Sequence, residues 1–561
     1  MTSTREARRS PNLKVGDAVR VTLRKYDPSR DAAPYLKTYT VPYTREMRVL
    51  EVLDYIVEEL GEGVAYQWFC GVKKCGMCGF LVNGRQTLGC WEPVEPEMLI
   101  EPLPGFPVVR DLVIDRGRYF ENVLALKPAL ERTQPYTGFP EALTGPTMAP
   151  AAHMLQCIEC MLCVSACPAQ GPDFMGPAPM VQVARFSLDP RDGGNRAQAA
   201  RAVGGLDHCV SCRQCSHVCP MEIPVYEEAI EGLRERARVE GISKPPSLRD
   251  RMFAHVHAWA DTFSTLPGLA NALLGAAPVR WLLQAFAGID ARRPLPRVAA
   301  ETFERWFAKR PARNTGRPQV VLFHDTFMNY YEPEIGVAAT ELLEAAGYEV
   351  KLVAERRCCG RPMLSKGLRD EAIAHAEENV RLLAPYVERG VPVIGCEPSC
   401  LLTIREEYPK LIAGESARRL AARAFTLDEF LAERSARGEL RLEFAGPGRK
   451  ILVHGHCNQK ALVGMASALA ALSLPPGNQV SEIPTTCCGM AGSNGFEREH
   501  YERSMQAAEA ALLPAVRNAA PDVEIVAAGA SCRQQIAHGA GRRAKHPAVV
   551  LREALAGARR E

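Results

Sequence analysis

Several things are scarce or missing in this sequence, and each absence excludes a class. No stretch of about 18 residues is both apolar and free of charge, the length that a membrane-spanning helix needs. A bias of charge is missing too: 68 Lys and Arg nearly balance 65 Asp and Glu, and a net +3 is too small for a nucleic-acid platform. No Gly-rich G-x-G-x-x-G turn follows a strand-like segment, so no flavin or nicotinamide fold is expected within the chain. No nucleophile, acid and base stand in a recognisable catalytic arrangement. The first stretch, Met1–Asn12, is polar and lacks the apolar segment of a secretory signal. The expectation is a cytoplasmic chain, at most peripheral on the cytoplasmic face of a membrane.

What is present in excess is cysteine. The 561 residues imply about three to five domains, and the 20 cysteines fall into five groups of four with none left over. In a long chain without an export signal such grouping points to metal ligation rather than disulfides.

Between the cysteine groups the sequence alternates in character. Ala18–Tyr26 and Thr38–Val41 carry β-formers, and Met47–Leu60 has apolar residues at helical spacing. Residues 237–317 contain no cysteine and read as a helical bridge broken at Pro245-Pro246, Pro267, Pro278 and Pro294. Its most apolar part, Leu266–Phe286, reads as packed helix, with membrane docking as the alternative. The remainder repeats itself: Val320–His324 is echoed by Ile451–His454, Cys358-Cys359-Gly360 by Cys487-Cys488-Gly489 at an offset of 129, and Cys400 by Cys532 at 132. Two related α/β lobes are expected, with their cysteine loops facing each other.

Cys70, Cys75, Cys78 and Cys90 form C-x4-C-x2-C-x11-C, the plant-type [2Fe–2S] spacing. Gly71, Gly76 and Gly79 are read as giving the loop the unusual backbone conformations it needs to wrap a cluster. Tyr39–Pro42, this loop, Val82-Asn83-Gly84, Leu88-Gly89-Cys90, Ile100–Leu103 and Arg110–Asp115 together resemble the iron–sulfur subunit of succinate dehydrogenase and fumarate reductase over about Val19–Arg236. The resemblance implies a β-grasp ferredoxin domain that exchanges electrons with an FAD-containing flavoprotein subunit.

Cys157, Cys160, Cys163 and Cys167 form C-x2-C-x2-C-x3-C-P, and Cys209, Cys212, Cys215 and Cys219 repeat it. In this bacterial-ferredoxin run the fourth cysteine serves the other cluster. One [4Fe–4S] cluster is therefore expected on Cys157, Cys160, Cys163 and Cys219, and a second on Cys209, Cys212, Cys215 and Cys167. Typical members of the resembled family lack a cysteine at the position of Cys212 and hold a three-iron cluster there; this chain should hold four irons. His208 and His217, close by, read as surface or packing residues.

The C-terminal half resembles the cysteine-rich CCG domains of heterodisulfide reductase and the iron–sulfur portion of FAD-linked hydroxyacid dehydrogenases. The residues are Cys358–Pro362, Glu397-Pro398-Ser399-Cys400, His456-Cys457, Cys487–Gly492 and Ser531–Ile536. The fuller family pattern has five thiolates, a lone cysteine, CCG and C-x2-C, and neither copy is complete. In the first lobe Thr326 and Glu397 replace two of them, leaving Cys358, Cys359 and Cys400, with Cys396 displaced by one; cluster, zinc and plain structural thiols all remain open. The second lobe keeps Cys457, Cys487, Cys488 and Cys532, with Gly529 at the missing position, and four thiolates suffice for a [4Fe–4S] cluster. His454 and His456 flank Cys457, either as donors to cluster sulfur or acceptor contacts, or as packing at a strand end.

The expected fold class is α+β and multidomain: a [2Fe–2S] domain at 13–120, a helical two-[4Fe–4S] domain at 140–236, the bridge at 237–317, and CCG lobes at 318–440 and 448–556. Such a fusion resembles the iron–sulfur subunits of thiol:fumarate reductases. It implies a chain with no substrate chemistry of its own that relays electrons between a flavoprotein subunit and an acceptor, quinone or a thiol/disulfide couple. The alternative is the equivalent subunit of another flavoprotein dehydrogenase, of the glycolate or hydroxyacid type.

Overall fold

The computed structural model describes residues 13–556 except 137, 142, 172–173, 203–205, 207, 244 and 486; the polar stretch Met1–Asn12 lies outside them. The chain divides into two compact units, residues 1–243 and 244–561.

The first unit opens with a five-stranded mixed sheet. Strand β1 (Ala18–Lys25) puts Val19, Val21 and Leu23 inside and alternates them with outward residues, the period of a half-buried strand. It pairs antiparallel with β2 (Tyr35–Pro42) and parallel with β5 (Glu97–Glu101). Helix α1 (Val49–Glu58) buries Val49, Leu50, Val52, Leu53 and Ile56 in the same core as the sheet. Strands β3 (Gly79–Val82) and β4 (Arg85–Leu88) form a hairpin, and the full order is β2-β1-β5-β3-β4. The hairpin turns at Asn83-Gly84, both left-handed (φ 47° and 75°), the conformation that two-residue turns between twisted strands demand. A short ribbon, β6 (Val108–Arg110) with β7 (Val113–Ile114), follows. The rest of the unit is helical. Pro177–Ser187 is buried along most of its length, and its core joins Met180, Val183 and Ala184 to Ile223, Tyr226 and Leu233.

The second unit holds two all-parallel sheets. In the first, β8 (Gln319–Phe323), β9 (Glu349–Lys351), β10 (Val393–Gly395) and β11 (Ala424–Thr426) lie in the order β11-β10-β8-β9. In the second, β12 (Lys450–His454) sits between β13 (Gln479–Glu482) and β14 (Glu524–Ala527). The central strands are continuous apolar runs, as expected of strands covered on both faces. Ahead of them, the bridge prolines open helices as well as interrupting them: Pro267 and Pro278 stand in the first turns of Pro267–Gly275 and Ala277–Ala287. The expected packing of this stretch is incomplete. Ala277–Ala287 has no fully buried residue, and Leu266, Leu269, Leu273, Trp281 and Phe286 are exposed.

Candidate metal centres

Three local devices shape the first cysteine loop. The β3–β4 hairpin pairs Gly79 with Leu88, and the Gly89 N–H donates to the Cys78 carbonyl at 2.8 Å, which brings Cys78 and Cys90 face to face. The N–H groups of Val72, Lys74 and Cys75 converge on Cys70 Sγ at 3.4, 3.2 and 3.2 Å, and that of Lys73 donates to Cys90 Sγ at 3.4 Å. Backbone donors favour the thiolate, the form that binds metal. They bring Cys70 down to about 7, and a hydrogen bond from Cys78 brings Cys90 down to about 6. Gly71 and Gly76 are left-handed as expected; Gly79 is not. It is an ordinary strand residue whose missing side chain admits the Cys160 carbonyl, 3.0 Å from where a Cβ would stand.

The two ferredoxin-type runs share an unusual backbone. Glu159 and Met161 in the first are left-handed, and so are Ser211 and Arg213 at the matching positions of the second. Left-handed residues alternating with ordinary ones turn successive N–H groups toward a common centre, a nest for negative charge. A small cavity is lined by Cys157, Cys160, Cys163 and Cys219, closed by Ile158, Met161, Val181 and Ile223. Burial raises Cys157 to about 11 and Cys160 to about 12, with Cys219 and Cys157 adding to the effect on Cys160. The Cys215 thiol is raised by burial first, then by Cys212, Cys209, Cys163 and Cys167. The fold thus sets Cys219 beside the first run and Cys167 beside Cys215.

Two arginines that sequence reasoning missed hold these loops. Arg116 donates to the carbonyls of Gly76 (3.2 Å), Met77 (3.5 Å) and Glu159 (3.4 Å), tying the Cys75–Cys78 loop to the Cys157–Cys160 loop. Arg234 donates to the carbonyls of Leu206 (2.8 Å) and Cys209 (2.7 Å) and to Ser211 Oγ (3.1 Å). Neither stands in a motif; each is one arginine among many in the sequence.

In the second unit the cysteine loops follow the carboxyl ends of parallel strands, β9 and β10 in one sheet and β12, β13 and β14 in the other, the end where parallel sheets place their sites. Cys358, Cys359 and Cys400 form a buried chain of thiols: Cys358 donates to Cys359, and Cys359 to Cys400. Cys396 stands apart. It packs with Ile394 and Leu427 in a separate core, while the other three pack with Phe323 and Tyr408, and its carbonyl meets His546 Nε2 at 3.1 Å. In the other lobe Cys487 is in hydrogen-bond contact with Cys457 and Cys488, and Cys488 with Cys532, all but Cys457 buried. Between the lobes, Glu397 Oε2 accepts the Ala530 N–H at 2.8 Å, and Ser399 Oγ meets His456 Nε2 at 3.0 Å, so the two loops face each other.

Family models match three stretches: a 2Fe-2S iron-sulfur cluster binding domain at residues 20–121, a 4Fe-4S dicluster domain at 153–223 and a cysteine-rich domain at 321–405. The fumarate reductase iron-sulfur subunit of Haemophilus influenzae is 34% identical over 237 residues, 93% of that protein and 39% of this one. This chain belongs to the fumarate reductase iron–sulfur subunit family. Two relatives extend the likeness into the second unit. A subunit of the anaerobic glycerol-3-phosphate dehydrogenase of Escherichia coli is 29% identical over 71% of this chain and 98% of its own length. A subunit of the CoM/CoB fumarate reductase of Methanothermobacter marburgensis is 27% identical over 74% of each chain. The protein is an iron–sulfur electron-transfer subunit of an oxidoreductase, of mixed α/β architecture, and among its described residues no helix is long and apolar enough to cross a membrane.

Proposed function

We propose that the chain serves a complex of the succinate dehydrogenase/fumarate reductase type and relays electrons between its FAD flavoprotein subunit and an acceptor, quinone or a thiol/disulfide couple, through one [2Fe–2S], two [4Fe–4S] and a further [4Fe–4S] centre in the second lobe. The observation that carries the reading is the crossed pairing of the two cysteine runs, with Cys219 lining one cavity with Cys157, Cys160 and Cys163. Bound clusters supply one-electron storage without a proton requirement. The chain's part is to hold them by Cys70, Cys75, Cys78 and Cys90, by the two crossed sets, and by Cys457, Cys487, Cys488 and Cys532, to aim N–H groups at sulfur, and to exclude water. In the first lobe Cys358, Cys359 and Cys400 offer three thiols, for a cluster, for zinc or as plain structural thiols.

The β2-β1-β5-β3-β4 sheet with helix α1 packed into its core supports a β-grasp domain at 13–120, followed by the dicluster domain at 140–236. The parallel sheets support repeated CCG lobes at 318–440 and 448–556, after a bridge at 237–317. Around the first loop Trp68, Phe69, Val72 and Trp91 are exposed, Phe69 by 82%, an apolar rim suited to a protein partner. This rim is the proposed seat of the flavoprotein. The exposed Leu266, Leu269 and Leu273 at one helix and Trp281 and Phe286 on the next support peripheral membrane docking, since exposed leucine and aromatics on such helices seat in the lipid headgroup region.

The likeness to the glycerol-3-phosphate dehydrogenase chain runs through both units and favours a second reading, service to another flavoprotein dehydrogenase. One experiment separates them. The complex is purified anaerobically with its native flavoprotein, and succinate, glycerol 3-phosphate and a 2-hydroxy acid are each tested for reduction of the clusters by EPR. Reduction by succinate alone supports the first reading, and reduction by either of the others alone overturns it. The isolated chain should oxidise none of them with an artificial dye; turnover by the chain alone would defeat the relay.

A further inference from the structure

The two histidines beside Cys457 have different fates. His456 is fully engaged: its Nδ1 accepts the Asn458 N–H at 3.2 Å, capping the helix Cys457–Leu462, and its Nε2 meets Ser399 Oγ at 3.0 Å. Its ring also fills the space beside Gly529, where a Cβ would fall 2.4 Å from His456 Cδ2. His454, the last residue of β12, is 1% exposed, and among the described residues neither ring nitrogen has a hydrogen-bond partner of acceptable geometry. A buried polar atom left unpaired is costly, so such a group is normally found against a partner. What lies beside this imidazole is sulfur: one ring nitrogen, Cys488 Sγ and Cys532 Sγ all stand within 4.8 Å of one another.

The first lobe supplies an internal comparison. His324 follows β8 at the position matching His454 and is equally buried, yet it packs on the Phe303 ring with 6.3 Å between centroids, and no described cysteine sulfur groups with it. A strand-end histidine is therefore not brought to the thiols by the fold alone.

We propose that His454 is a nitrogen ligand to iron in the second lobe, an additional donor to the centre held by Cys457, Cys487, Cys488 and Cys532. The inference rests on the reading that this lobe holds an iron–sulfur cluster. A neutral imidazole on iron donates less negative charge than a thiolate, and histidine-ligated clusters have higher potentials than all-cysteine ones of the same type. The second-lobe centre should accordingly be easier to reduce than an all-thiolate version of itself.

The test uses the full chain, purified anaerobically after growth on ¹⁵N-histidine, with a natural-abundance control. The second-lobe EPR signal is identified by its loss in the Cys487→Ala, Cys488→Ala double variant. Pulsed EPR on that signal should show a strong, directly bonded nitrogen coupling that changes with histidine labelling. The coupling should be lost in His454→Ala and kept in His324→Ala. His454→Cys should keep the iron, lose the coupling and titrate at a lower potential. A second-lobe signal without a strong histidine coupling overturns the ligation and leaves the cluster reading standing. Zinc in this lobe, or no metal, overturns both. The labelling arm needs no histidine variant, so a misfolded His454 substitution cannot rescue the proposal.

Discussion

Gly76 and Gly61 share a backbone conformation and differ in surroundings, which makes them a matched pair. Their φ angles are +69° and +67°. A Cβ at Gly61 would have nothing within 4 Å, whereas at Gly76 it would fall 2.3 Å from the Ile158 carbonyl oxygen and 3.0 Å from Cys160 Cα. Gly61→Ala should cost only the left-handed strain, about 1–2 kcal/mol. Gly76→Ala carries the same strain and must also push two cysteine loops apart, an overpacking that adds about 1–3 kcal/mol. In a unit of this size each kcal/mol moves the melting temperature by about 2–4 °C, so Gly76→Ala should melt about 2–12 °C below Gly61→Ala. The assay is anaerobic thermal bleaching of cluster absorption at one fixed scan rate, with iron content measured beforehand. Gly76→Ala should also lose iron from the [2Fe–2S] site and from its neighbour at Cys157–Cys163, and Gly61→Ala should keep both. Equal melting and equal iron in the two variants would refute the close approach of the loops.

Arg116→Met removes a guanidinium that spans two cluster loops, and redox titration by EPR should show the [2Fe–2S] and adjacent [4Fe–4S] midpoints falling, because a nearby positive charge favours the reduced form. Fresh anaerobic protein should give no stoichiometric three-iron EPR signal, and Cys212→Ser should create one; such a signal in the unaltered chain would defeat the assignment of Cys212. The Cys487→Ala, Cys488→Ala variant should lose about four irons per chain and stop turnover with the physiological acceptor, while substrate still reduces the clusters of the first unit through the flavoprotein. Phe69→Asp on the exposed rim should weaken electron entry from the flavoprotein at unchanged iron content, read as a raised apparent KM for the partner.

Much of the site was legible because metal ligation demands particular atoms at particular spacings. Cys157–Cys167 and Cys209–Cys219 announce themselves in this way, and their left-handed Glu159, Met161, Ser211 and Arg213 follow from wrapping so short a loop around a centre. The sheet strands were legible for another reason. Val19, Val21 and Leu23 alternate with outward residues on a half-exposed sheet, and the doubly covered strands of the second unit are short runs of Val, Ile and Leu. What escaped is whatever depends on a partner distant in sequence. Gly79 looked like a flexible loop residue and is a strand residue making room for Cys160. Cys396 stands one position off the motif, and the structure shows what that displacement does: Cys396 follows β10 directly and packs in one core, while Cys400 sits in the first turn of the helix Pro398–Glu406 and packs in another.

The same reasoning explains why His454 and His456 could not be separated by sequence. They are two residues apart, and in a continuing strand they would share a face. The strand ends at His454, however, and His456 enters the extended N-cap conformation of the next helix, φ −66° and ψ 139°, where its imidazole takes the capping bond. Capping engages Nδ1 and the Ser399 contact engages Nε2, so His456 has no nitrogen left for a metal. Among the described residues His454 spends neither nitrogen on an oxygen or nitrogen partner, and the polar neighbour its ring meets is the Cys532 thiol. A strand continued two residues further, through His456, would put both rings on one face and leave the helix uncapped. The position of that boundary, set by β12 pairing with β13 and β14 rather than by either histidine, decides which of the two faces Cys488 and Cys532.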